Sequence, residues 1–454
     1  MKQLPVGQDM RISMSYGKKG LPLDLPEDWN LTVIQKREMP VLPDPEGALR
    51  AAFSQPEGSR PLVEEAKGRH RACVLICDVT RPVPNAVILP ELVRTLMESG
   101  MSPSGINVLV ATGLHRPNEG AELCELVGDD WVLDTVNIEN HFARNDQDHV
   151  MLGVTKRGTK IRLDRRFVQA DLRIVVGLVE PHFMAGYSGG RKIILPGVAH
   201  QETITALHTA SILEDPRAAN CVLEGNPLHE EQLEVVRMLG GALAVNTVID
   251  EHRRISFVNF GEIAHSHLSA VAHMRKYSEI PVPRKFRTVI TSSAGYPLDK
   301  TYYQTVKGMV GAMDVLEPGG SLFIVSECSE GMGSPEFVEA QRQLITLGAD
   351  GFLKKIRPKR HAAIDEWQTE MQLKPMRIGE IHLYTEGLSE SERRLTGVHL
   401  ADGPGQTIQR LVSAAQDTHV AVIPEGPYVV PIHRPHSLTQ GRVDPKSYLR
   451  GRDT

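Results

Sequence analysis

Cysteine is scarce and scattered: the 454 residues contain five, at Cys73, Cys77, Cys124, Cys221 and Cys328, and no two form a CxxC pair. An odd number of dispersed thiols argues against a disulfide framework and fits a reducing, cytoplasmic setting. No stretch approaches 18 uncharged apolar residues, so no transmembrane helix is expected. The opening MKQLPVGQDMRISMSYGKKG lacks an apolar h-region, so no signal peptide is expected either. A basic excess is also missing. With 51 Lys+Arg against 56 Asp+Glu the net charge is −5, which argues against a dedicated nucleic-acid binder. There is no HExxH, no GxSxG, no Cys/His metal quartet, no internal repeat and no low-complexity tract. What is present, 41% hydrophobic and 24% charged residues, supplies cores for the two or three domains that this length suggests at roughly 150 residues each.

Short apolar runs recur, each ending in a polar, Gly/Pro-punctuated loop. Ala72–Cys77 runs into DVTRPVPN, Ile106–Ala111 into TGLHRPNEG, and Leu172–Val179 into EPHFMAGYSGGRK. Later, Thr288–Thr291 runs into SSAGYPLDKTYYQ, Ser321–Val325 into SECSEGMGS, and Val420–Ile423 into PEGPYVV. Continuous rather than alternating apolar runs suit strands buried on both faces, as in parallel sheets. Helical patterns fill the gaps: Pro90–Gly100, Thr203–Leu213 and Thr301–Leu316. The expected fold is α/β, two domains with largely parallel sheets and the active site in the cleft between them. A charged, Pro-interrupted boundary around 273–287 gives an N-terminal domain of residues 1–272, a C-terminal domain of 286–425, and a tail, 426–454, expected to pack back on the first domain.

In such sheets ligands bind beyond the carboxyl ends of the strands, and that is where the unusual residues stand. The 181–197 loop, PHFMAGYSGGRKIILPG, holds His182, Gly189, Gly190 and Lys192. Its glycines permit close approach of backbone N–H groups to an anion, or simply a tight turn. It is not a P-loop, because Ile193 follows Lys192. A lysine there is a cation, or a nucleophile if desolvated. Asp78 and Arg81 follow the first strand, as an ordering pair or with Arg81 as a bidentate carboxylate binder. His115 follows the second, and His208 lies on a helical pattern. In the second domain Gln304 and Lys307 share a helix face beside Tyr303. Cations from both domains describe a cleft for a small anion. Cys73 and Cys77 share a strand face and read as core.

Taken in order, DVTRPVPN, ATGLHRP, EPHFMAGYSGGRKIILPG, HTA and GYPLDKTYYQTVKG, with Trp367 in DEWQ, resemble the nickel-dependent lactate racemase family from about residue 10 to 370. The resemblance implies a racemase or 2-epimerase of a 2-hydroxy acid, acting by proton-coupled hydride transfer through a 2-keto acid. It implies nickel held in a pyridinium-3,5-bisthiocarboxylic acid mononucleotide (the nickel pincer nucleotide) joined covalently to Lys192. It further implies His208 as nickel ligand and His115 and His182 as the acid/base pair. Arg81, Gln304 and Lys307 correspond to the carboxylate-binding groups, and Asp78, Tyr303, Trp367, Gly189 and Gly190 to cofactor-side positions. Enzymes that make the cofactor are the implied partners, with neither nucleic acid nor membrane. His200 rivals His208 as the ligand, and Arg191 is a candidate for contacts with a longer substrate tail. Two other classes compete: a cofactor carrier of the same fold, which would not need His115, His182, Arg81, Gln304 and Lys307 together, and an NAD-dependent dehydrogenase, which lacks its GxGxxG loop here.

Overall fold

The computed structural model describes residues 2–3 and 10–435. It is an α/β protein built on two large sheets, with four two-stranded ones beside them among the described residues. The six-stranded sheet runs in the order Ile255–Glu262, Leu243–Ile249, Leu172–Leu178, Ala72–Cys77, Ile106–Ala111, Asn137–Asn140. Its pairs are parallel except for the antiparallel hairpin at the first edge. Each central strand is buried on both faces, which is why its sequence is a continuous apolar run. Side chains alternate between two cores: Cys73, Leu75, Leu109 and Val175 pack on one side, and Val74, Ile76, Val108, Val110 and Val176 on the other.

The seven-stranded sheet runs Lys2–Gln3, Asn30–Val33, His419–Ile423, Phe286–Ser292, Leu316–Val325, Glu380–Tyr384, His399–Leu400. It too is parallel apart from the antiparallel edge pair at Lys2–Gln3. Lys2–Gln3 and Asn30–Val33 thus belong to the second sheet, with Val33 beside Val422. An N-terminal unit drawn as 1–272 therefore gives up its opening segment. The hairpin Met10–Met14/Leu21–Leu25 packs in the same core as Val420 and Val422. The physical reason is non-local: an apolar strand carries no mark of which sheet it will join, and the open edge of His419–Ile423 offers this one its ladder. The other boundary also moves, because helix Ile263–Ser278 runs unbroken across residue 273. Of the expected tail, Val430–His433 pairs with Glu279–Val282, and residues 436–454 lie outside those described.

Both sheets reverse strand order beside a central strand. After Ala72–Cys77 the chain moves outward on one side, then returns to build Leu172–Leu178 on the other. Register brings Ile76 level with Val176 and Cys77 level with Ala111, so the three following loops emerge at one edge. The second sheet has the same reversal between Phe286–Ser292 and His419–Ile423. Such switch points are where open α/β sheets bind ligands.

The helices show where sequence patterns misplace ends. The pattern read as Pro90–Gly100 is a helix from Asn85 to Glu98, with Pro90 inside it. The pattern read as Thr203–Leu213 is two helices, Gln201–Leu207 and Ala210–Leu213. His208 sits at the break, as the C-terminal cap of the first. Thr301 caps helix Tyr302–Ala312, and a 3-10 turn follows it.

Candidate functional site

One cavity of about 340 Å³ takes in the carboxyl edges of both sheets. Its lining includes Asp78, Arg81, His115, His182, Gly189, Lys192 and His208 from the first, and Tyr303, Gln304, Lys307 and Trp367 from the second. Of the residues that the sequence singles out for the site, Gly190 and the two alternatives Arg191 and His200 are outside this wall, and Gly190 is the buried neighbour of Gly189.

The Gly-rich loop is fixed by close packing. Gly189 and Gly190 have φ of 78° and 49°, the left-handed region that suits glycine. A Cβ on Gly189 would come within 2.8 Å of Val179 Cγ2, and one on Gly190 within 2.9 Å of the His267 ring. Arg191 is turned the other way. It is 1% exposed, and its guanidinium donates to the carbonyls of Ala185 and Tyr187, both at 3.0 Å. It braces the loop from behind and does not reach the cavity, so it is no partner for a substrate tail. Lys192 faces the cavity. Burial, with Arg81 as the next cause, draws its amine from 10.5 down to about 7. Lys307, across the cleft, is likewise drawn to about 7 by burial and then by Arg81 and Lys192.

The two candidate base histidines have opposite hydrogen-bond settings. His115 Nδ1 lies 2.6 Å from Asp78 Oδ2. A carboxylate only accepts, so Nδ1 carries the hydrogen and Nε2 keeps an open lone pair. Asp78 is itself buried, and its other oxygen accepts from Thr80 N–H and Oγ–H at 3.1 and 2.5 Å. Burial works to raise its pKa, but the His115 and Thr80 contacts outweigh that, and the net shift is downward. His182 Nδ1 instead accepts from the N–H groups of Met184 and Ala185, at 3.3 and 3.2 Å, so the neutral ring carries its hydrogen on Nε2. Burial first, then Lys192, Arg81, Lys307 and His208, hold His182 well below the ordinary histidine value.

His208 Nδ1 donates to Ile204 O at 2.8 Å, which leaves Nε2 as a bare donor atom, the arrangement a metal-binding imidazole needs. Burial brings its pKa to about 4 despite that backbone bond, so the ring is neutral at working pH. Trp367 lies against it with ring centroids 4.6 Å apart and donates from Nε1 to Tyr303 Oη at 3.3 Å. His200 is elsewhere. It is 1% exposed, its Nδ1 caps helix Gln201–Leu207 by accepting from Glu202 N–H, and its Nε2 faces Asp146 at 3.1 Å. It lines no part of the cavity, so the geometry favours His208 over it.

Among the lining residues that the sequence reading did not single out are Glu180, Asp365 and Gln368. Glu180 forms an ion pair with Arg81; its signal was its place directly after the Leu172–Val179 run. Asp365 holds φ 60° at the start of helix Glu366–Met376, a strained backbone for a non-glycine residue, and its carboxylate accepts from Ser334 Oγ at 2.5 Å. Burial raises its pKa. Gln368 Nε2 donates to the Tyr303 carbonyl at 2.5 Å. Nothing in DEWQ separates these roles without coordinates. Cys73 is core as read, but Cys77, read with it, is only partly buried and lines the cavity, because it ends its strand at the carboxyl edge.

Known proteins resemble the chain along most of its length. Residues 16–220 match the family model of the lactate racemase N-terminal domain, and 283–430 that of the lactate racemase C-terminal domain. A lactate racemase of Thermoanaerobacterium thermosaccharolyticum is 28% identical over 424 residues, 92% of this chain and 98% of that protein. One from Lactiplantibacillus plantarum is 34% identical over 286 residues, 63% of this chain and 67% of that one. The structure of the T. thermosaccharolyticum lactate racemase apoprotein superposes with a TM-score of 0.86 at 28% identity, over 93% of this chain and 100% of that. A Thermotoga maritima protein with a TM-score of 0.64 and 18% identity shares the fold, over 85% of this chain and 98% of its own.

Proposed function

The chain belongs to the lactate racemase family of isomerases, and from that premise we propose that it interconverts the enantiomers of a small 2-hydroxy acid, lactate first among the candidates, with malate-like and sugar acids as alternatives to assay. The observation that carries the reading is the convergence of His115, His182, Arg81, Lys307 and Gln304 on one cavity with Lys192 and His208.

The residues fit the nickel pincer nucleotide. Lys192 offers an amine that is half neutral near pH 7, as covalent attachment requires, and His208 offers a neutral ring with Nε2 free. Gly189 and Gly190 leave no side chain at the loop's turn. When bound, that group supplies a two-electron acceptor for the hydrogen at C2, chemistry no side chain here can perform. Its supply by dedicated biosynthetic enzymes, and a cytoplasmic location, belong to the same proposal. No helix among the described residues is long and apolar enough to cross a membrane.

The chain's own residues hold the acid and move its protons. Arg81 and Lys307 clamp the carboxylate, with Gln304 on the same helix face as Lys307, so that C2 is the centre left free to change hand. His115 Nε2, oriented by Asp78, takes the hydroxyl proton of one enantiomer. Loss of that proton and of the C2 hydrogen with its electron pair leaves a planar 2-keto acid. For the other enantiomer the hydroxyl lies on the other side of C2, and His182 is the second histidine available to serve it. One histidine must therefore accept a proton while the other donates one. Burial first and the surrounding cations second hold His182 neutral, and an anionic ligand among those cations offsets the second of these causes and so favours the protonated ring.

The test uses protein made with and without the nickel-cofactor pathway. Intact mass, nickel content and chiral chromatography of lactate, malate and sugar acids are measured on both. A Lys192 adduct, nickel and racemisation only in the loaded sample are expected. Racemisation by the unloaded chain, or none of the three acids turned over by a nickel-loaded one, would overturn the reading.

A further inference from the structure

Arg81, the cleft's carboxylate clamp in the proposed function, is already engaged by a carboxylate of this chain. Its Nη1 meets Glu180 Oε1, with side chains only 25% and 17% exposed. Among the described residues neither group has another ion-pair partner. Glu180 is not presented on a loose loop. Its N–H donates to Ser188 Oγ at 3.0 Å, its carbonyl accepts from Ser188 N–H at 2.9 Å, and the same hydroxyl donates to Leu178 O at 2.8 Å. Those bonds fasten the end of the central strand to the Gly-rich loop, so the Glu180 carboxylate enters the cavity from a fixed backbone.

A guanidinium pairs with any carboxylate that fits its planar fork. Glu180 therefore offers Arg81 the same functional group as a 2-hydroxy acid. We propose that Glu180 is an internal stand-in for the substrate carboxylate: it masks Arg81 until an acid arrives, and binding is an exchange of one carboxylate for another on the same guanidinium. The inference rests on the reading that Arg81 clamps the substrate. Its consequence is weak, readily reversed binding. The incoming carboxylate gains Arg81 but displaces Glu180, which stays nearby as a like charge. Both enantiomers present the same carboxylate, so the exchange raises KM for both hands together and leaves the equilibrium between them untouched. Glu180 is in this sense a positioning residue, acting through Arg81.

Two measurements separate the inference from the function it rests on. In the first, phenylglyoxal modifies arginines in the cofactor-free chain, and the Arg81 peptide is followed by mass spectrometry. A masked arginine reacts slowly; Glu180→Gln should speed Arg81 modification several-fold, and Glu180→Asp should restore part of the protection. In the second, the loaded Glu180→Gln enzyme should show a KM lower by about two- to fivefold for both enantiomers, the scale of one partly screened ion pair, with kcat little changed. Equal Arg81 reactivity in wild type and Glu180→Gln overturns the inference even if racemisation is normal. So does a fall in kcat at unchanged KM, which would make Glu180 a proton-transfer group. Faster Arg81 modification together with no racemisation of any 2-hydroxy acid would keep Glu180 as a mask for Arg81 but remove the substrate assigned to it.

Discussion

Lys192 gains its reactivity from where the chain buries it, and the size of that gain can be worked out. Its amine is drawn from 10.5 to about 7 by burial and then by Arg81. At pH 7 about half of it is neutral, against roughly one part in three thousand for an ordinary lysine. The advantage in free amine is about a thousandfold. A less basic amine is also a weaker nucleophile; with a Brønsted slope of about 0.5, as for thiols, roughly fiftyfold is given back. The net expectation at pH 7 is acylation on the order of thirtyfold faster than at a surface lysine. Trace labelling of the cofactor-free chain with isotopic acetic anhydride from pH 5.5 to 10.5, read by peptide mass spectrometry, measures this directly, with exposed Lys67 as internal reference. The Lys192 profile should reach half its plateau near pH 7, and Arg81→Gln should move that midpoint upward, because Arg81 is one of the groups that lowers it. A Lys192 profile that tracks Lys67 at every pH would refute the reasoning, and with it the idea that the fold prepares this lysine for covalent loading.

Asp78→Asn keeps shape but offers His115 an amide in place of a pure acceptor, which permits the wrong tautomer; turnover should fall by about 10²- to 10⁴-fold in both directions, with nickel content and the Lys192 adduct unchanged. His208→Ala should lower nickel retention by metal analysis, whereas His200→Ala should leave nickel in place and lower thermal stability by loosening the start of helix Gln201–Leu207; the opposite pattern would transfer the ligand role to His200. Lys307→Met should abolish turnover yet stabilise the cofactor-free chain. A lysine whose folded pKa is depressed to about 7 burdens the fold fully below that pH and ceases to do so as pH rises toward its unfolded value of about 10.4. The gain in denaturation midpoint should therefore be largest near pH 6 and fade toward pH 10.

Much of this was legible because parallel strands buried on both faces write themselves as plain apolar runs. Ala72–Cys77, Ile106–Ala111 and Leu172–Leu178 stand where ACVLIC, INVLVA and LRIVVGLV put them, and the residues just beyond them converge because the register is flush. What remained hidden is non-local. NLTV at Asn30–Val33 reads as a strand but not as a neighbour of His419–Ile423. Arg191 and Lys192 are adjacent cations of similar reach, yet the step of about 100° between neighbouring helical residues sends one behind the loop and the other into the cavity. Glu180 and Asp365 are acidic residues in polar loops, and only their partners, Arg81 and Ser334, distinguish them from solvated ones.

The placement of Asn30–Val33 in the second sheet also begins a repeated interleaving of the two walls of the cleft. The chain passes from the second sheet to the first between Val33 and helix Pro45–Ser54, and back between Ser278 and Phe286. After Ile423 it crosses again, and Val430 packs with Val179, Tyr187 and Met274. Side chains close the same seam: Val306, Val310, Trp367 and Met371 share one core with Ile193, Ile204 and Leu207. Parting the walls would expose that apolar surface to water at about 25 cal/mol for each Å². The cleft is therefore built more like a mortised joint than a pair of jaws, and Tyr303, Gln304 and Lys307 keep their places in one cavity with His115 and His182.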